Sequence, residues 1–130
     1  MKWRDIFNLK GINLWHIANS LGWNILWIGG SLLLTFYFLG KSPGALLIIQ
    51  LGLMTIFFIG PLTAGIIFGR LASDGRGITY GVIGSFGSII LALFIVLPGG
   101  GILGLMLAVI ALAGGLNGGL MSLKGGSPGN

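Results

Sequence analysis

Groups able to do chemistry are scarce in this chain. Its carboxylates are Asp5 and Asp74, its one histidine is His16, and it has no cysteine. Acid–base and nucleophilic catalysis need such groups within hydrogen-bond reach of one another. Asp5 and Asp74 are far apart in sequence, and His16 has no partner acid or nucleophile by pattern, so it reads as a polar residue at headgroup level. No triad, metal cluster or phosphate-cradling loop can be assembled. Catalytic residues and metal ligands are therefore read as none, no cofactor is expected, and the chain is not expected to be an enzyme. The polar side chains expected at membrane depth are Gln50 and Asn117, with Thr35, Thr55, Thr63 and several serines. Ionisable groups at membrane depth mark ion pathways and proton relays, and the apolar runs hold none. Gln50 and Asn117 read as interhelical hydrogen-bonding groups, with contact to a substrate as the alternative.

The elements that carry these groups follow from composition. Of 130 residues, 55% are hydrophobic and only 7% charged, against about 25% charged in soluble domains. Mean hydropathy is +1.02. Glycine takes 26 positions, and glycine is enriched in transmembrane helices because it lets them approach closely. The net charge of +5 could suggest nucleic acid, but the seven basic residues stand at the ends of apolar segments. They form no water-facing basic surface, so no nucleic-acid partner is expected.

Four apolar runs match the roughly 20 residues that cross a hydrocarbon core of about 30 Å: residues 21–39, 45–69, 78–97 and 102–123. Turn chemistry separates them at 40–44, 70–77 and 98–101. The expected fold is all-α, an integral membrane four-helix bundle spanning 21–123, with a flexible cytoplasmic tail at 124–130. With the N-terminus inside, Lys2, Arg4, Lys10, Arg70, Arg76 and Lys124 are cytoplasmic and Lys41 alone is outside. The positive-inside rule thus gives an N-in/C-in protein. The expected location is the cell (plasma) membrane, a prokaryotic inner membrane. Tyr37 and Tyr80 are expected at the two interfaces, with Trp3, Trp15, Trp23 and Trp27 around the inner face.

Residues 1–20 carry a separate pattern. Trp3, Ile6, Phe7, Leu14, Ile17, Ala18 and Leu21 share one helical arc, opposite Arg4, Asp5, Asn8, His16, Asn19 and Ser20. This predicts a cytoplasmic interfacial amphipathic helix; the alternative is a leader continuous with the first span. Arg4, Lys10, Trp15, Arg70 and Arg76 are the expected headgroup anchors.

Small residues recur at intervals of three and four: Gly77, Gly81, Ser85 and Ser88 in the third span, and Gly100, Gly104, Ala108, Ala111, Gly115 and Gly119 in the fourth. Such faces supply packing inside a bilayer. They are read as internal helix-packing surfaces or as a partner interface, the fourth helix being the first candidate for the latter. Gly84 and Gly87 lie beside the third-span stripe, and Gly60, Ala64, Gly65 and Gly69 supply the second. The first span, richer in Trp, Phe, Tyr and Leu, should face lipid or a partner over more of its surface. Pro61 should kink the second helix. Residues 60–70 also align with 114–124, matching Gly, Leu and Gly; a parallel duplication or composition bias would each produce this.

Two resemblances bear on the reading. The loop Gly69–Gly77 resembles the cytoplasmic motif Gly-x-x-x-Asp-Arg-x-Gly-Arg of major facilitator transporters. Here Gly69 and Asp74 are five apart, the Asp-Arg pair is missing, and four spans cannot build a twelve-helix transporter. The loop therefore reads as a turn with two Arg anchors. Ala64-Gly65, Gly69-Arg70, Ala72, Gly77, Gly81, Gly84, Gly114-Gly115 and Gly118-Gly119 are similar to small four-helix, glycine-rich bacterial membrane proteins of the YrzE type. That resemblance implies the topology and no activity.

Smooth faces without reactive groups point to an accessory or structural subunit of a larger membrane complex. Its expected partners are membrane lipids and other membrane subunits or copies of itself. The alternative is a small homo-oligomeric channel or exporter for a neutral or lipid-like solute, with a path near Gln50, Thr55, Thr63 and Asn117. A lipid-surface regulator acting through the leader and Arg70/Arg76 is a third reading.

Overall fold

A computed structural model describes residues 11–41, 44, 46–72 and 75–125. They form four antiparallel helices, each long and apolar enough to cross a membrane. Helix α1 is Leu14–Lys41, α2 is Leu46–Ala72, α3 is Gly77–Gly100 and α4 is Ile102–Gly125. The all-α four-helix membrane bundle is thus present. An even number of helices puts Leu14 and Gly125 at the same end, here termed inner; the α1–α2 and α3–α4 turns lie at the outer end.

The helices are not arranged as a square. Helices α2 and α3 pack against each other and both touch α1 and α4, while α1 and α4 share no contact among the described residues. The bundle is therefore a rhombus, with the α2–α3 pair as its short diagonal.

The start of α1 departs from expectation. Helix α1 begins at Leu14 rather than Leu21. Gly11 has φ +77°, and residues 12–13 are not helical. Asn13 then caps the helix, its Oδ1 accepting from the backbone N–H of Trp15 at 3.0 Å and of His16 at 3.4 Å. Residues 14–20 are thus the first turns of a span, and the helix does not run back through residues 11–13. Residues 1–10, with Arg4 and Lys10, and the tail beyond Gly125 lie outside the described residues.

The far end of α3 also differs. Pro98-Gly-Gly-Gly was expected to end the helix, yet it continues to Gly100. A proline ring inside an α-helix collides with the carbonyl four residues earlier. Here Ala92–Val96 adopt a wider π turn, and the Leu97 N–H reaches Ala92 O across five residues. The extra residue makes room for the ring. The hairpin is then closed by Gly101 alone, at φ +58° and ψ −124°, a conformation suited to glycine. Helix α2 passes unbroken through Pro61, whose side chain is fully buried.

Packing differs between the two halves. In the outer half, Ile28, Leu32, Leu53, Phe57, Ala92, Val96, Leu107 and Ala111 form a side-chain core. In the inner half, α2, α3 and α4 meet backbone to backbone. A Cβ on Gly65 would stand 2.8 Å from Gly119 N, and one on Gly119 would stand 2.6 Å from Gly77 O. Real Cβ atoms do not approach so closely, so only glycine fits. Gly81 and Gly115 face each other's carbonyls, and Gly114 and Gly118 lie on the carbonyls of Phe58 and Leu62.

Overpacking a filled core costs about 1–3 kcal/mol, sometimes more. Gly115→Val should therefore destabilise the bundle by at least about 2 kcal/mol. Gly30→Val, where a Cβ meets nothing within 4 Å, should be close to neutral. Reversible unfolding in mixed micelles measures both.

Candidate functional site

Three features could carry function: the glycine junction, a set of polar bonds that holds α1, and a cleft at the outer end. The junction uses two faces of α4. Gly115, Gly119 and Ser122 meet Gly77, Gly81 and Ser85 of α3, whereas Gly114 and Gly118 meet α2. Gly104 packs on the backbone of Leu97, a Cβ there falling 2.6 Å from Leu97 N. Ala111 is fully buried and Ala108 partly so. Gly100 is exposed at the hairpin, near only Val96 and Leu103. The stripe of α4, the first candidate for a partner face, is therefore covered by α2 and α3 within the chain.

Helix α3 presents a second small face to α1. A Cβ on Gly84 would strike Ser20, and one on Gly87 would stand 2.9 Å from Leu21 O. The closeness brings polar groups into register. Ser88 Oγ donates to Asn24 Oδ1 at 2.7 Å, Asn24 Nδ2 donates to Ser20 O at 2.9 Å, and Ser20 Oγ donates to Tyr80 O at 3.2 Å. Asn24, Ser20, Ser88 and Tyr80 are all fully buried. On the other flank, Trp23 Nε1 donates to Thr63 Oγ1 at 3.1 Å, and Thr63 Oγ1 donates to Gly60 O at 2.9 Å.

Several expected positions move inward. Tyr80, expected at the interface, is buried beside Ile12 and Ile17, and its hydroxyl accepts from Asn13 N–H at 3.0 Å. His16, expected on the polar side of a leader helix, instead packs its ring 6.3 Å from Tyr80 and 6.4 Å from Phe68. Helix α1 cannot lie flat in the headgroups while Ile17 and Ser20 dock on α3, and this turns His16 toward α2 and α3. Its Nδ1 is buried without a partner among the described residues.

The polar pair at depth also separates. Asn117 is exposed on α4, and its Nδ2 donates to Ala113 O of its own helix at 2.7 Å. It is not an interhelical bond. Gln50 is half-buried at the outer cleft. Thr55 is exposed and bonds Leu51 O within α2. Of the anchor set, Trp15, Arg70 and Arg76 gather at the inner end; Trp15 is 72% exposed and Arg70 is exposed. No group of three His, Cys, Asp or Glu side chains occurs among the described residues.

Comparison with known proteins adds no relative: no family model, no curated sequence and no solved structure matches this chain.

Asn24 is the residue the sequence reading overlooked. A carboxamide in the run Trp23-Asn24-Ile25-Leu26 was as visible as Gln50. Polar bonds between membrane helices contribute on average about 0.6 kcal/mol and at most about 1.7 kcal/mol. A double-mutant cycle of Asn24→Leu with Ser88→Ala should give a coupling in that range. Asn117→Leu paired with Ser88→Ala should give none.

Proposed function

We propose that this protein is a non-catalytic accessory subunit of a membrane assembly, offering the α1 side of its bundle to a second membrane protein or a second copy. The observation that carries this reading is the uneven use of small residues and of helix surface. The glycines of the inner junction are filled by neighbouring backbone, whereas Gly22, Gly29 and Gly30 of α1 and Gly52 of α2 have nothing within 4 Å of a Cβ position. Only 17% of the apolar window of α1 is buried, against 39–50% for the other three helices. Leu26, Trp27, Leu33 and Leu34 rim the notch at Gly30 and Ser31. Such a notch admits a partner's backbone or side chain at close range.

The asymmetry of basic residues supports a cytoplasmic inner end, and the location proposed with it is the cell membrane of a prokaryote. A passage through a single chain draws no support from the geometry. Gln50, Thr55, Thr63 and Asn117 do not share a wall, and backbone contacts fill the inner half between α2, α3 and α4.

Photo-crosslinkers introduced at Gly30 and Trp27 should give a discrete protein adduct in native membranes, while one at Val109 on α4 should give lipid adducts only. Gly30→Phe should abolish an adduct formed from Trp27. Lipid adducts alone at all three positions would defeat the accessory reading.

A further inference from the structure

The outer end of the bundle holds a cleft that the accessory reading leaves unused. It lies among α1, α2 and α3, with Leu103 of α4 closing one side, and measures about 420 Å³. Small-molecule sites span about 300–1,000 Å³. Leu32, Leu53 and Val96 belong both to its wall and to the outer core, so the cleft ends on packed side chains.

Its polar groups are few and lack charge. Gln50 opens onto the cleft, and its carboxamide makes no hydrogen bond among the described residues. Thr35 Oγ1 donates to Ser31 O at 2.8 Å, which leaves its lone pairs free to accept. Gly99 and Gly100 line the mouth in the last turn of α3, where backbone carbonyls have no partner within the helix. Among the described residues, none in the lining is charged. Within an apolar helix run an unpaired carboxamide such as that of Gln50 is costly, and a large apolar cleft beside it is not filled comfortably by water alone.

We propose that this cleft binds an uncharged, hydroxyl-bearing lipid, an acylglycerol, drawn from the leaflet at the outer end. The apolar wall of Leu32, Leu53, Val96 and Leu103 takes one acyl chain. The Gln50 carboxamide donates to the ester carbonyl and accepts from a glycerol hydroxyl, and the last carbonyls of α3 accept from the remaining hydroxyl. The uncharged lining among the described residues selects against a phosphodiester, which would enter the cleft with no counter-charge. Binding here is independent of whether α1 has a protein partner, so either reading can fail without the other.

The test uses the full-length protein in phosphatidylcholine nanodiscs doped with a monoacylglycerol bearing a diazirine near the chain end. Labelling is expected at Leu53, Val96 or Leu103, and unlabelled monoolein should compete with it while equal phosphatidylglycerol should not. Gln50→Leu should lower labelling at least fivefold. Gly99→Leu, at a position where a Cβ meets nothing within 4 Å, should lower it similarly by blocking the mouth. Circular dichroism and gel filtration establish that both variants remain folded. Labelling undiminished in both folded variants, labelling as strong at Val109 on the outer face of α4, or equal competition by phosphatidylglycerol would each overturn the proposal.

Discussion

Backbone contact between α2, α3 and α4 in the inner half is the constraint on which the rest depends. Hydrocarbon chains are as apolar as leucine, so burying apolar side chains gains little inside a bilayer. Cohesion must come from dispersion over many short contacts. Removing the Cβ atoms at Gly65, Gly77, Gly81, Gly115 and Gly119 lets three helices share that contact at once. A junction so close leaves no room for large side chains between these three helices, and the largest apolar cluster lies in the outer half around Phe57 and Leu107.

How much of this was legible depends on whether a feature is local. Span number, approximate limits and the small-residue stripes are local patterns, and sequence periodicity reports them. The destination of each stripe is not local. The doublets Gly114-Gly115 and Gly118-Gly119 give α4 two smooth faces about 100° apart, one for each neighbour, and spacing cannot say which faces outward. Asn24 finds its partner 64 positions away at Ser88. Tyr80 looked interfacial because it stands near a helix end, but docking of Ile12 and Ile17 covers it.

The two misplaced helix limits have distinct physical causes. At the start of α1, one side-chain cap at Asn13 fixes the boundary, and apolar periodicity does not register caps. At the end of α3, Pro98 was read as a stop. A π turn over Ala92–Val96 absorbs the ring, so the break shifts to Gly101, where the backbone itself must reverse. Pro98 does not punctuate this helix because the turn before it widens.

Helix α1 is held by a different balance of forces from its neighbours. Against α3 it has the Gly84–Ser20 and Gly87–Leu21 contacts and the Asn24–Ser88 bond; against α2 it has Trp23–Thr63. At about 0.6 kcal/mol each on average, such bonds add modestly to strength. They are directional, however, and a slip by one turn would part Ser88 Oγ from Asn24 Oδ1. The polar bonds therefore set the register of α1, while the glycine junction sets the stability of the other three helices. A helix fixed in register but covered over little of its length is the element of this fold best able to present a defined surface outward.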